Sequence, residues 1–95
     1  MHAKRMDWQH LIRQFRGLDA GSAYQVHKSF IDADGDEHQV GESWLLAGSM
    51  FSKFDDLVTL CVTKKDDAQC ELPLIWRPGA QDQVVENFLE YLARS

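Results

Sequence analysis

Phe30-Ile31-Asp32-Ala33-Asp34-Gly35-Asp36-Glu37-His38-Gln39-Val40-Gly41-Glu42 decides how this chain is read. An apolar run enters a cluster of Asp and Gly, and a second run leaves it towards Trp44. A turn-rich break between two segments of period two is the signature of a β-hairpin. Its register rests on residue types. A two-residue Asp34-Gly35 turn would set Phe30 opposite Gln39 and Val26 opposite Ser43. A shift of one sets Phe30 opposite Val40, Lys28 opposite Glu42, Val26 opposite Trp44 and Tyr24 opposite Leu46, matching apolar with apolar and cation with anion. Cross-strand pairs are the unit of sheet stability, so an odd loop of three or five residues centred on Gly35 is expected. Gly41 marks a place where a bulge would change the face presented by Glu42 and Trp44.

Downstream, residues 57–64 and 69–76 form a second hairpin around the polar turn Lys65-Asp66-Asp67-Ala68. The register Val62–Cys70, Leu60–Leu72, Val58–Leu74 gives an all-apolar face and sends the two cysteine sulfurs to opposite sides. Free thiols are therefore expected, in keeping with a reducing compartment. Pro73 has no amide proton and assigns its strand to a sheet edge or a bulge. At the ends, Trp8, Leu11, Ile12 and Phe15 recur at helical spacing, which predicts a helix over 7–16 stopped by Gly17. Val85, Phe88, Leu89 and Leu92 predict a second helix over 80–93.

The resulting expectation is a single α+β domain over 1–95. It consists of a small antiparallel sheet, or a strongly bent SH3-like barrel, of two hairpins over 23–76, flanked by an N-terminal and a C-terminal helix. Trp44 is expected at the centre of its core, facing Val26 and sharing a side with Val40 and Leu46.

The chain has 95 residues, 44% hydrophobic and 26% charged, enough apolar content for a core and too much for a disordered chain. A net charge of −5 disfavours nucleic acid as a partner. No apolar stretch reaches the length of a membrane span. Met1-His2-Ala3-Lys4-Arg5 is basic but lacks a subsequent apolar region, so no secretory signal is read and the cytoplasm is the expected location.

Candidate chemistry is sparse. Asp32, Asp34 and Asp36 suggest a cation loop, but counting from Asp32 puts glycine fourth and Ser43 twelfth, against the sixth-place Gly and twelfth-place Glu of an EF-hand. Cys61, Cys70, His27 and His38 lack the short spacings of a zinc site. No nucleophile elbow, phosphate loop or metalloprotease motif is present, so no catalytic residue, metal or cofactor is assigned. Lys28 and Glu42 form a candidate polar pair. The irregular stretch 48–56 carries Met50, Phe51 and Phe54 beside Asp55 and Asp56, an apolar patch with an acidic rim of the kind partner sites use, or else the closed end of the core.

Tyr24-x-Val26, Phe30-x-Asp32-x-Asp34-Gly35 and Val40-Gly41-Glu42-x-Trp44, then Phe51, Asp55-Asp56-Leu57 and Leu72, resemble the small bacterial family labelled domain of unknown function 3601. The likeness runs from Tyr24 to Trp76. It departs at Lys53-Phe54-Asp55-Asp56-Leu57, where the family has Pro-Tyr-Asp-Asp-Gly. The resemblance implies a bacterial origin and no established activity. The function expected from the residues is a non-enzymatic binding or adaptor module that recognises protein or peptide through the hairpin faces and the loop Met50–Asp56. An intracellular immunity or toxin-neutralising protein, and a small enzyme with an unrecognised site, are the alternatives.

Overall fold

The structure, a computed structural model, describes Trp8 and residues 10–95. The expected N-terminal helix therefore lies partly outside the described residues, as does the basic stretch 1–5. The elements in order are β1 (Gln14–Phe15), β2 (Leu18–Asp19), β3 (Ala23–Val26), β4 (Phe30–Ile31), β5 (Glu37–His38), β6 (Ser43–Ser52), β7 (Leu57–Thr63), β8 (Gln69–Ile75), α1 (Asp82–Glu86), α2 (Phe88–Tyr91) and β9 (Leu92–Arg94). A five-stranded antiparallel sheet in the order β8-β7-β6-β3-β9 is joined by two small hairpins, β1-β2 and β4-β5. The protein is mostly β, not the α+β arrangement with flanking helices that the sequence suggested, and helix among the described residues is confined to α1 and α2.

The N-terminal helix is replaced by extended chain. Ile12 exchanges both backbone hydrogen bonds with Ser49, at 2.7 and 3.0 Å. Arg16 and Gly17 then take positive φ, +48° and +91°, between the paired strands β1 and β2, the geometry of a tight type I′ hairpin. Gly17 thus stops no helix. Its tolerance of positive φ serves the hairpin turn instead. Leu11 packs onto the sheet at Gly48, and Phe15 joins Phe51, Trp76 and Phe88 in an aromatic cluster.

At the C-terminus the expected helix breaks at Asn87 (φ −131°, ψ 40°), and the chain after Tyr91 straightens into β9 along the free side of β3. Val84, Val85, Phe88 and Leu92 are buried as the apolar stripe requires, but the break turns Leu89 outward, 65% exposed over Gly17.

The hairpins match their sequence patterns more closely. The β7–β8 pairs Val62–Cys70, Leu60–Leu72 and Val58–Leu74 are those expected from the apolar faces, and β8 is a sheet edge, as Pro73 requires. The Pro73 carbonyl on that edge accepts from Ala33 N–H at 2.8 Å, and Ile75 exchanges bonds with Gln81. Pro73, Ala33 and Gln81 together close this half of the edge to other strands. In the first hairpin the pairing is Tyr24–Trp44 and Phe30–His38, around the five-residue loop 32–36. The observed register differs from the expected one by two residues. A slip of two keeps Tyr24, Val26, Trp44 and Leu46 lining the core, whereas Val40, expected on the same side, is 64% exposed next to Gly41. Gly41 (φ +102°) donates to the Val26 carbonyl while Val26 N–H donates to Glu42, a G1-type bulge that opens the two strands between Val26 and Phe30.

Trp44 is buried beside Tyr24, whose fully buried hydroxyl accepts from Asp19 N–H at 2.8 Å. No helix among the described residues is long and apolar enough to cross a membrane.

Candidate functional site

Among the described residues, candidate side chains gather at two places: the β4–β5 arm and the tip of the β6–β7 hairpin.

In the arm, Asp32 comes directly after β4 with its carboxylate folded back over the loop. Its Oδ1 accepts from the N–H groups of Asp34 (2.9 Å) and Asp36 (3.0 Å), a local turn that Asp favours, while Gly35 supplies φ +88°. Its Oδ2 lies 2.7 Å from His38 Nε2. The other ring nitrogen, Nδ1, lies 2.8 Å from Glu42 Oε2, and the same oxygen accepts from Trp44 Nε1 at 3.1 Å. Phe30 stacks on the imidazole with ring centroids 4.9 Å apart. Asp32 is only 4% exposed, and the His38 and Glu42 side chains are 11% and 26% exposed.

This geometry sets the electrostatics. Burial disfavours the charged imidazole and is the largest single influence on it. The hydrogen bonds to Asp32 and Glu42, together with the charges of both carboxylates, outweigh it, and the His38 pKa is raised above 6.5. In its protonated form His38 donates both N–H groups to carboxylates, two charge-assisted bonds in a partly buried setting. With both nitrogens occupied, the ring offers no atom to a substrate or a metal.

Sequence reasoning placed these residues elsewhere. Lys28 and Glu42 are not paired: Lys28 Nζ sits 4.8 Å over the Tyr91 ring, and Glu42 serves His38 and Trp44. The bulge and the bonds from His27 and Lys28 N–H to the Tyr91 carbonyl carry that segment away from Glu42. Asp32, Asp34 and Asp36 hold oxygens within 4.8 Å of one another. Both Asp32 oxygens are already engaged, so a hard cation would have to displace backbone N–H groups and His38 to reach them. His27, His38, Cys61 and Cys70 are not brought together as a ligand group, and both His38 nitrogens are taken by carboxylates. Both cysteines are thiols, Cys61 buried and Cys70 half-buried, on opposite faces as their register requires. The signal for the cluster was one of parity. Asp32, His38 and Glu42 share the even-numbered face with Phe30 and Trp44, and charged groups on a core face must satisfy one another.

At the tip, β6 runs unbroken through the stretch expected to be an irregular loop, as far as Ser52, and the turn comprises Lys53, Phe54, Asp55 and Asp56. The Asp56 carboxylate accepts from Arg77 Nε (3.1 Å), the Asp56 carbonyl from Trp76 N–H (2.7 Å), and Asp55 Oδ2 from Ser52 Oγ (3.3 Å). Braced in this way, the turn holds Phe54 99% exposed. Phe51 is partly exposed and packs on Phe15 and Trp76, with centroids 6.4 and 5.8 Å away. Arg16 stacks 4.9 Å over Trp76. Met50, half-buried, alternates to the other face of β6, so the tip joins Phe51, Phe54, Asp55 and Asp56 without it.

The fold has a solved counterpart. An integron cassette protein from the mobile metagenome of Vibrio cholerae superposes with a TM-score of 0.87 over 90% of this chain and 98% of its own, at 23% sequence identity. At that identity the likeness concerns the fold, which this chain shares with a small bacterial protein. No family model and no curated protein matches the chain.

Proposed function

We propose that this is a non-enzymatic binding domain that recognises a protein or peptide through the β6–β7 tip, with Phe54 as the anchoring side chain. The observation that carries this reading is the full exposure of Phe54 on a turn fixed by Asp55, Asp56, Trp76 and Arg77. An aromatic side chain contributes nothing to the core from that position, and rigid exposed aromatics are the usual anchors of interfaces. Phe51 extends the apolar surface behind it, and Asp55 with Lys53 supplies a polar rim. The free thiols, one of them deeply buried, favour the cytoplasm as the place where the domain works. Kinship with the domain of unknown function 3601 family is part of the same proposal, since most residues carrying that resemblance build the arm and the strand pair beneath it.

The test is affinity capture from a bacterial lysate with the wild-type domain and Phe54→Ala as parallel baits, after thermal melts have shown equal stability. The reading requires a protein retained by the first bait and lost from the second. A partner that binds both equally, or a variant that melts well below wild type, would overturn it.

A further inference from the structure

We propose that the β4–β5 arm is latched by the proton on His38, and that loss of this proton unfastens the arm and passes the change through Glu42 to Trp44. Phe30 anchors the arm in the core, 6% exposed, and polar contacts hold the loop beyond it. The Ala33 N–H reaches the Pro73 carbonyl of β8, Phe30 meets the Tyr91 ring of α2 edge-on at 6.0 Å, and the Asp32–His38–Glu42 chain ties the loop to the start of β6.

Two carboxylates flank one imidazole, and satisfying both takes two ring N–H groups. A neutral imidazole carries only one. Deprotonation therefore leaves a lone pair facing a carboxylate, and one of the two contacts must break. Asp32 is almost fully buried and held by the N–H groups of Asp34 and Asp36, whereas Glu42 is the more exposed and has solvent into which to turn. Glu42 is thus the group that leaves. Its Oε2 is also the partner of Trp44 Nε1, so the indole in the core loses its acceptor in the same event.

The charged groups around the ring reinforce this. From the arm these are Asp32, Glu42 and the exposed Asp34, Asp36 and Glu37; from α2 there is Tyr91 with Lys28 stacked above it; β8 presents the Pro73 carbonyl to Ala33. Acids dominate, which favours the protonated ring. The latch is closed below the His38 midpoint and opens as pH rises through it.

The experiment is an NMR titration of the intact chain that tracks the His38 ring nitrogens, the Trp44 indole N–H and the backbone amide protection of residues 30–38. His38 is expected to titrate above 6.5, with both nitrogens protonated below its midpoint. The Trp44 indole signal should move with that same midpoint. Arm protection should fall by about tenfold for each unit by which the midpoint exceeds the ordinary histidine value. In Glu42→Gln the midpoint should drop and the coupling between ring and indole should vanish. A wild-type midpoint at or below 6.5, or a Trp44 signal that ignores the His38 titration, overturns the proposal without recourse to any variant.

Discussion

The backbone of Gly48 lies so close to Leu11 that a methyl group at Gly48 would meet the Leu11 Cβ at 2.5 Å and its Cδ1 at 3.0 Å. The contact seats the extended N-terminal segment on the sheet, next to the Ile12–Ser49 bridge. Gly48→Ala should cost about 1–3 kcal/mol, as overpacking does, because the alternative is to lift the segment off. Thermal denaturation would show this as a fall of about 4–8 °C for each kcal/mol lost in a chain of this size. An unchanged Tm would mean that the segment is not seated.

Cys61 pairs with Gly48 across β6 and β7, so it lies on the face that Leu11 covers. Burial, with a smaller contribution from the Glu71 carboxylate, pushes its thiol up to about 11. Native protein at mildly alkaline pH should therefore be alkylated at Cys70 alone, with Cys61 reacting only after denaturation. Gly48→Ala should bring Cys61 into reach. Intact-mass analysis of iodoacetamide-treated samples reads all three states, and equal native rates at both thiols would contradict the packing.

Trp44 and Phe54 make a paired comparison. Trp44→Ala removes a buried indole and should cost about 3–5 kcal/mol. Phe54→Ala removes a side chain that touches little and should stay within about 0.5 kcal/mol of wild type. Urea midpoints measured side by side decide the matter: comparable losses would place Phe54 in the core and end its role as an anchor.

Stability should depend on pH through His38, with a definite sign. Its pKa is raised on folding, so the native state binds the proton more tightly than the unfolded chain does. The stabilisation is complete below about 6.5, where both states are protonated, and is lost as pH rises through the folded-state value. Melting curves of wild type and His38→Gln from about pH 6 to 9 should converge as pH increases. Divergence on the alkaline side would reverse the assignment of charge in the cluster.

The parts of the fold legible in the sequence are those in which each residue's neighbour is another apolar residue. The β7–β8 register needed only Val58, Leu60, Val62, Leu72 and Leu74 to find one another, with Pro73 pointing to the edge. Alternation puts the first hairpin on the correct face because it fixes parity, but two residues out, because the loop centres on Asp34 and the Asp32 carboxylate organises it. The N-terminal stripe Trp8-Leu11-Ile12-Phe15 spans only two turns, too short for a helix without partners. Leu11, Ile12 and Phe15 meet the sheet as extended chain instead. Leu92-Ala93-Arg94 has little strand character of its own. The open side of β3 imposes it, an instance of tertiary context overriding propensity. Of the candidate site, Phe54 was visible as an out-of-place aromatic. The Asp32–His38–Glu42 chain was not, because each acid has a nearer match in a cation or a metal than in the histidine between them.

The position of β9 sets an order of events. β3 is made early, yet it lies between β6 and β9, and its outer side is covered by residues 91–95. While the chain is being synthesised, the meander β6-β7-β8 can close on itself through neighbouring turns, whereas the backbone groups of Ala23, Gln25 and His27 that face β9 wait unpaired for the last strand to appear. Contacts of such long sequence separation form slowly and leave an adhesive edge exposed meanwhile. The chain is thus most vulnerable to misassociation in the interval between completion of the meander and arrival of its C-terminal strand, and a nascent chain stalled before residue 92 would carry that open edge for as long as it lasts.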